Sequence, residues 1–222
     1  MSALFDTVTS VRGRAFEVKE TVMTLAERAL RLNYASRYAE RNLPALILMS
    51  DEQRLPDPRD AAGCLPAGSA VLIRHADKRT RRDLATATAA VCRAHGLMLI
   101  VSDDLESARA VGAGGLHLPE RVAASSEART IRRHWRGLLT CAAHGPRALC
   151  RAAQIGADAA LLSPVFASQS HPGQAPLGAL RFVTLARAAA VPVYALGGMS
   201  AANAGRIADR NIAGIAGIGG II

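Results

Sequence analysis

Ser163-Pro164-Val165-Phe166, then Ser168-Gln169-Ser170-His171-Pro172-Gly173 and Leu177-Gly178, follow the apolar run 159–162. Further along, Ala195-Leu196-Gly197-Gly198-Met199-Ser200 closes a second apolar run, 193–196. Each run reads as a buried strand that opens into a polar loop. Glycines just before a helix let backbone N–H groups approach an anion closely, and the helix start adds a favourable dipole. Two such strand ends predict one phosphate-handling site on a parallel α/β scaffold. A glycine pair alone usually marks only a turn; the two segments in this order are far more informative.

Outward from these segments, short apolar runs alternate with helical ones. Strands are expected at 45–49, 70–74, 97–101, 115–118, 138–142, 159–162, 193–196 and 215–218. Most are almost wholly apolar, as strands covered on both faces should be. Helices are expected at 79–95, 105–111, 125–135, 146–155, 177–189 and 201–209. Ser125 and Ser200 are candidate N-caps, and Gly96, Gly112 and Gly156 candidate helix stops. Val111-Gly112-Ala113-Gly114-Gly115 and Ile155-Gly156-Ala157-Asp158-Ala159 repeat one helix-to-strand junction, with Asn211-Ile212-Ala213-Gly214 as a looser copy. The alternation predicts a (β/α)8 TIM barrel, a doubly wound sheet being the alternative. A barrel domain is expected over 44–222, with no eighth helix after the last strand. Residues 1–43 form an N-terminal extension with an extra helix at 17–41. Val18, Val22, Leu25, Ala29 and Leu32 fall on one face of it. This helix either packs peripherally or covers the place of the eighth helix.

Bulk composition restricts the function. Half of the 222 residues are hydrophobic but only 4% are aromatic, so one aliphatic, alanine-rich core is expected. The net charge of +9 comes from arginines spread along the chain, without a basic block or interleaved aromatics. That pattern argues against a nucleic-acid groove and fits phosphorylated small molecules better. Cys64, Cys92, Cys141 and Cys150 form no Cys-x-x-Cys pair, so reduced packing cysteines in a cytoplasmic protein are expected. No apolar run is long enough for a membrane span, and the first residues lack a signal-peptide core. A homo-oligomer is compatible with all of this.

The loop at 163–178 and the later glycine pair resemble the thiamin phosphate synthase and TenI family. Arg74 after the second strand, Asp103 after the third, Gly115-Leu116-His117-Leu118 and His144 extend the resemblance from about Leu46 to the chain end. It implies a (β/α)8 barrel with its active site at the strands' C-terminal ends. The synthase joins a hydroxymethylpyrimidine diphosphate to a thiazole phosphate in thiamin biosynthesis, releasing pyrophosphate with Mg²⁺. TenI-type members include a metal-free thiazole tautomerase. The resemblance assigns catalytic roles to His144, Arg74 and His171. It assigns phosphate binding to Ser168, Ser170, Gly197, Gly198, Ile218 and Gly219, and metal binding to Asp103 with Glu120.

Several family positions are altered. The Gln-x-Arg-x-Lys pattern reads Leu72, Arg74 and Ala76, with Lys78 nearby, and Asn-Asp reads Ser102-Asp103. Gly-Gln followed by an acidic metal ligand reads Pro119-Glu120-Arg121, which leaves Glu120 as the nearest candidate for the second carboxylate. Thr-x-Thr-Lys reads Ser168-Gln169-Ser170-His171, the serine two residues before His144 is Ala142, and the final Val-Ser turn is Ile218-Gly219. Loss of an acidic ligand and two lysines should weaken neutralisation of a leaving pyrophosphate. Proton transfer by a histidine demands less. His117 is expected to be structural, and His75, His95 and His134 to be surface or helix residues. A thiazole tautomerase using His144 and a non-catalytic phosphate-binding regulatory protein therefore stand as alternatives to the synthase.

Overall fold

The computed structural model describes residues 23–168, 175–219 and 221. Eight parallel strands close into a barrel: β1 (Leu46–Met49), β2 (Ala70–Ile73), β3 (Met98–Ser102), β4 (Gly115–Leu118), β5 (Leu138–Ala143), β6 (Ala159–Leu162), β7 (Val193–Leu196) and β8 (Ile212–Gly217). Closure rules out the doubly wound alternative, since β8 pairs with β1 through Leu46–Ile215, Ile47–Ala216 and Leu48–Gly217.

Side chains alternate along each strand, which explains the unbroken apolar runs. Ile47, Met49, Leu72, Ile100, Leu161 and Tyr194 fill the barrel, while Leu46, Leu48, Val71, Ile73, Leu99 and Val101 face the surrounding helices. Tyr194 sits inside as the largest fully buried side chain, and its hydroxyl donates to the Pro44 carbonyl at 2.7 Å. β8 starts three residues earlier than expected. Residues 212–214 belong to it rather than to a helix-to-strand junction, and β-carbon space at Gly214 is filled by the Ala45 carbonyl oxygen. Glycine is what lets β8 lie this close to the chain entering β1.

The helices are α1 (Leu25–Ala35), α2 (Arg59–Gly63), α3 (Lys78–Ala94), α4 (Leu105–Ala110), α5 (Glu120–Ala123), α6 (Glu127–His134), α7 (Pro146–Gln154), α8 (Gly178–Ala188) and α9 (Ala201–Ala204). Gly96, Gly112 and Gly156 have positive φ and end α3, α4 and α7, as expected of C-terminal stops. The expected helix at 125–135 starts later, because Ser125 spends its hydroxyl on the Val122 carbonyl and Ser126 holds the N-cap position. α5 and α2 were not foreseen. The expected helix at 201–209 is α9 followed by a 3₁₀ turn, Gly205–Ile207.

The N-terminal helix is shorter than its apolar spacing predicts. Thr24 caps α1 in a reciprocal box with Glu27, which fixes the start at Leu25; residues 17–22, with Val18 and Val22, lie outside the described residues. Leu25, Ala29 and Leu32 are buried. α1 lies against β8, β1 and α9. Asn33 ties it there, donating to the carbonyls of Ala213 at 2.7 Å and Leu43 at 3.1 Å. No helix among the described residues is long and apolar enough to cross a membrane.

Candidate active site

A cavity of about 340 Å³ opens at the C-terminal ends of the strands. Met49, Leu161 and Leu196 give it an apolar lining, joined by the buried polar residues Ser102, His117 and Ser163. Asp51, Arg74, Glu120 and His144 carry charge or basicity to its mouth, while Ser168, Gly197 and Ile218 line the opposite side. This is where parallel α/β barrels place their chemistry. The free cysteines lie elsewhere: burial pushes the Cys92 thiol up to about 11 and the Cys141 thiol up to about 12.

His117 is buried, and its Nδ1 lies 2.9 Å from the Thr140 hydroxyl. Burial, with a smaller contribution from the Arg74 charge, lowers its pKa to about 3. It is thus a neutral, partnered histidine, as expected. His95 ends α3, His134 lies in the last turn of α6, and His75 sits in the loop before α3.

The β1 and β2 ends are tied together by Ser50. Its hydroxyl accepts from the Arg74 backbone N–H at 2.8 Å and donates to the Arg74 carbonyl at 3.0 Å. The Arg74 guanidinium then approaches Asp51 at 3.8 Å, while Arg54 holds the same carboxylate at 3.1 Å. The Arg54 hydrogen bond leads the causes that keep Asp51 below the usual carboxylate range.

Asp103 adopts a left-handed backbone, φ 55°, which is uncommon outside glycine. Its N–H donates to the His117 carbonyl at 2.9 Å. Arg81, buried at 4% exposure, reaches in from α3 and donates to the carbonyls of His75 at 2.5 Å and Asp103 at 3.4 Å. The neighbouring Asp104 caps α4 through Ser107, so only Asp103 presents its carboxylate at the rim. That carboxylate is hydrogen-bonded to the Arg121 guanidinium.

Glu120, next to Arg121, turns the other way. Its Oε2 lies 2.7 Å from His144 Nδ1 and accepts the His144 backbone N–H at 3.1 Å. A carboxylate only accepts, so Nδ1 carries the hydrogen and Nε2 is the basic nitrogen of the neutral ring. This histidine–carboxylate pair is an arrangement able to serve general acid–base chemistry.

The metal expected at Asp103 and Glu120 does not fit these donors. The two carboxylates bind different partners, Arg121 and His144, and Asp51 is held by two arginines. No group of three or more histidine, cysteine, aspartate or glutamate side chains suited to a metal occurs among the described residues. A cation at Asp103 would have to displace a guanidinium.

The other side of the cavity is built from the two loops that open the sequence analysis. Val165 and Phe166 donate from their backbone N–H groups to the carbonyls of Leu196 and Gly197, at 2.9 and 3.0 Å. Gly197 and Gly198 have φ 94° and 63°. A β-carbon on Gly198 would lie 2.4 Å from the Ala167 carbonyl oxygen. The pair is needed for close packing of one loop on the other, a reason beyond access to an anion. Ser168 Oγ is buried without a hydrogen-bond partner among the described residues, and Ser168 lines the cavity. Such an atom calls for a partner beyond the described residues. Ile218 lines the cavity and Gly219 is exposed beside it; Ser170 and His171 lie outside the described residues.

The cavity thus gathers Arg74, His144, Glu120, Ser168, Gly197 and Ile218, with Asp103 at its rim. Sequence reasoning missed Asp51, Arg81 and the pairing role of Arg121. Asp51 carried a readable signal, because it follows β1 at the catalytic end of the barrel. Arg81 carried none, being one of several arginines on α3.

The family model described as thiamine monophosphate synthase matches residues 54–221. The chain belongs to this family. A thiamine-phosphate synthase of Methanoculleus marisnigri is 37% identical over 169 residues, covering 73% of this chain and 79% of the relative. One from Thiobacillus denitrificans is 34% identical over 148 residues, covering 64% of this chain and 70% of the relative. Among solved structures, a thiamine phosphate pyrophosphorylase from Pyrococcus furiosus superposes with a TM-score of 0.64 at 20% identity, covering 81% of this chain and 87% of that one. That likeness supports the barrel fold.

Proposed function

We propose that this chain is a thiamin phosphate synthase-like transferase that couples hydroxymethylpyrimidine diphosphate to thiazole phosphate and releases pyrophosphate. Family membership carries this reading, supported by the buried Ser168 hydroxyl at the cavity, which has no partner among the described residues. In it the apolar lining of Met49, Leu161 and Leu196 takes a ring, and the backbone amides of Gly197, Gly198, Ile218 and Gly219 hold the thiazole phosphate. Ser168 and Ser170 add hydroxyl donors. Arg74, with His171, takes the role of stabilising the growing charge of the departing pyrophosphate. Mg²⁺ is what the family resemblance implies in general, but in this reading the chain's own side chains and backbone amides fill every role. Residues 44–222 constitute the catalytic barrel in this reading, and 1–43 its extension.

One observation favours a second reading. The 2.7 Å contact of Glu120 with His144 suits a proton shuttle, as a thiazole tautomerase would need. The test is incubation with both synthase substrates, following thiamin phosphate by chromatography and pyrophosphate by a coupled assay. Both products appearing in step support the synthase. No coupling, but isomerisation of a thiazole carboxylate phosphate that is lost in His144→Asn, would replace it with the tautomerase. Phosphate binding without either reaction would leave a binding protein.

A further inference from the structure

We infer that Arg121 takes the place of a divalent cation, so that the rim of this barrel binds a diphosphate group without metal. The inference rests on the synthase-like reading for the identity of the anion, and on the Asp103–Arg121 pair for its mechanism. Arg121 stands where the resemblance expects the second metal carboxylate. The structure turns that exchange of charge into a contact, because the guanidinium meets the very carboxylate that should anchor the metal.

Charge balance supports the exchange. Two carboxylates carry −2 and repel a phosphate until a divalent cation brings them to zero. Asp103 with Arg121 is at zero with no ion added. Asp103 engages one terminal nitrogen of the planar guanidinium, which has five N–H donors in all. The Arg121 side chain is 72% exposed, so its remaining donors face solvent at the cavity rim, in the fork geometry that matches phosphate oxygens. The neighbouring residues Ser102 and Glu120 line the cavity, which places the pair at its edge.

The anchor is also rigid. The left-handed Asp103 backbone is fixed by the buried Arg81 from one side and by the His117 carbonyl from the other. A backbone held in such a conformation at a cavity rim has a function to serve more often than a surface turn does. Here it aims the one carboxylate that orients Arg121. Glu120 cannot rescue a metal site, because it is engaged with both the ring and the backbone of His144.

The test is calorimetric titration of the full chain with inorganic pyrophosphate, in excess chelator and again in excess Mg²⁺. The wild-type affinity should agree within about threefold between the two buffers, because the cation is covalently part of the protein. Arg121→Ala should weaken binding about tenfold or more in both, the loss expected for one charge-assisted contact. Arg121→Lys should retain metal-free binding with a smaller loss, which separates charge from folding defects. Arg121→Asp should bind only when Mg²⁺ is present. Wild-type binding that requires Mg²⁺, no wild-type binding in either buffer, or unchanged affinity in Arg121→Ala would each overturn the inference. Thiamin phosphate formation is measured separately. Metal-free pyrophosphate binding without coupling would refute the synthase reading and leave the inference standing, whereas Mg²⁺-dependent binding with coupling would do the reverse.

Discussion

Acid should destabilise this barrel through His117. The ring is buried against Thr140, and its pKa falls from an ordinary 6.5 to about 3, first through burial and then through the Arg74 charge. Between those values the unfolded chain takes up a proton that the native ring refuses, so stability falls as pH falls through this window and is unaffected above it. Each unit of difference corresponds to roughly 1.4 kcal/mol, which makes the full effect at most about 4–5 kcal/mol. Local opening that lets water reach a buried ring before global unfolding lowers the realised value. Between about pH 6 and pH 5 the slope attributable to this group should approach 1 kcal/mol per unit. Urea unfolding of the wild type and His117→Gln at both pH values measures it, since glutamine retains a hydrogen-bonding partner for Thr140 without titrating. Proton NMR of the His117 ring gives an independent reading and should show no titration above about pH 5. A ring midpoint near 6.5, or identical pH slopes in wild type and variant, would refute the reasoning.

Two other outcomes follow from packing. Gly198→Ala places a β-carbon 2.4 Å from the Ala167 carbonyl oxygen and imposes a side chain on φ 63°. It should cost about 2–4 kcal/mol in denaturant unfolding and abolish phosphate binding, because the 163–168 loop must move; a variant with wild-type stability and affinity would show that the loops yield without cost. Removal of residues 1–43 strips α1 from β8 and β1, with the buried Leu25 and Leu32. Burial of the two leucines alone is worth about 3–6 kcal/mol, so the truncated chain should aggregate or melt far earlier. Unchanged melting of a monomeric truncation in calorimetry and light scattering would show the helix to be dispensable.

Backbone demands were readable in the sequence because they are written in residue types that have few alternatives. Apolar runs without alternation announced strands buried on both faces, and β4, β6 and β7 fall on the expected residues. Gly96, Gly112 and Gly156 marked helix ends because positive φ excludes most side chains. Where one residue type serves two demands, reading failed. Gly214 looked like a junction glycine, yet it lies inside β8 to admit the Ala45 carbonyl. The start of α1 was legible in Thr24 and Glu27, three residues apart, but the apolar spacing of Val18 and Val22 drew the expectation back to residue 17.

The members of the cavity were more legible than their pairing. Arg74, Glu120, His144, Ser168, Gly197 and Ile218, all named from sequence, line it, whereas the partners of Glu120 and Arg121 were not foreseen. These two neighbours carry opposite charge and sit in the first turn of α5, so their side chains diverge, Arg121 toward Asp103 after β3 and Glu120 toward His144 after β5. Adjacency in a helix foretells that the two side chains part, but not which distant residues, Asp103 and His144, they meet. The split divides the mouth into two halves. One, Arg121–Asp103 with Arg74–Asp51, is built from fixed cations and suits a departing diphosphate. The other, His144–Glu120, holds a basic nitrogen and suits a proton. Coupling chemistry needs the first half and tautomerisation the second, and both open on the same apolar lining. In the proposed reading, Arg121 therefore puts a permanent cation where an exchangeable one would sit, and the histidine half is left untouched.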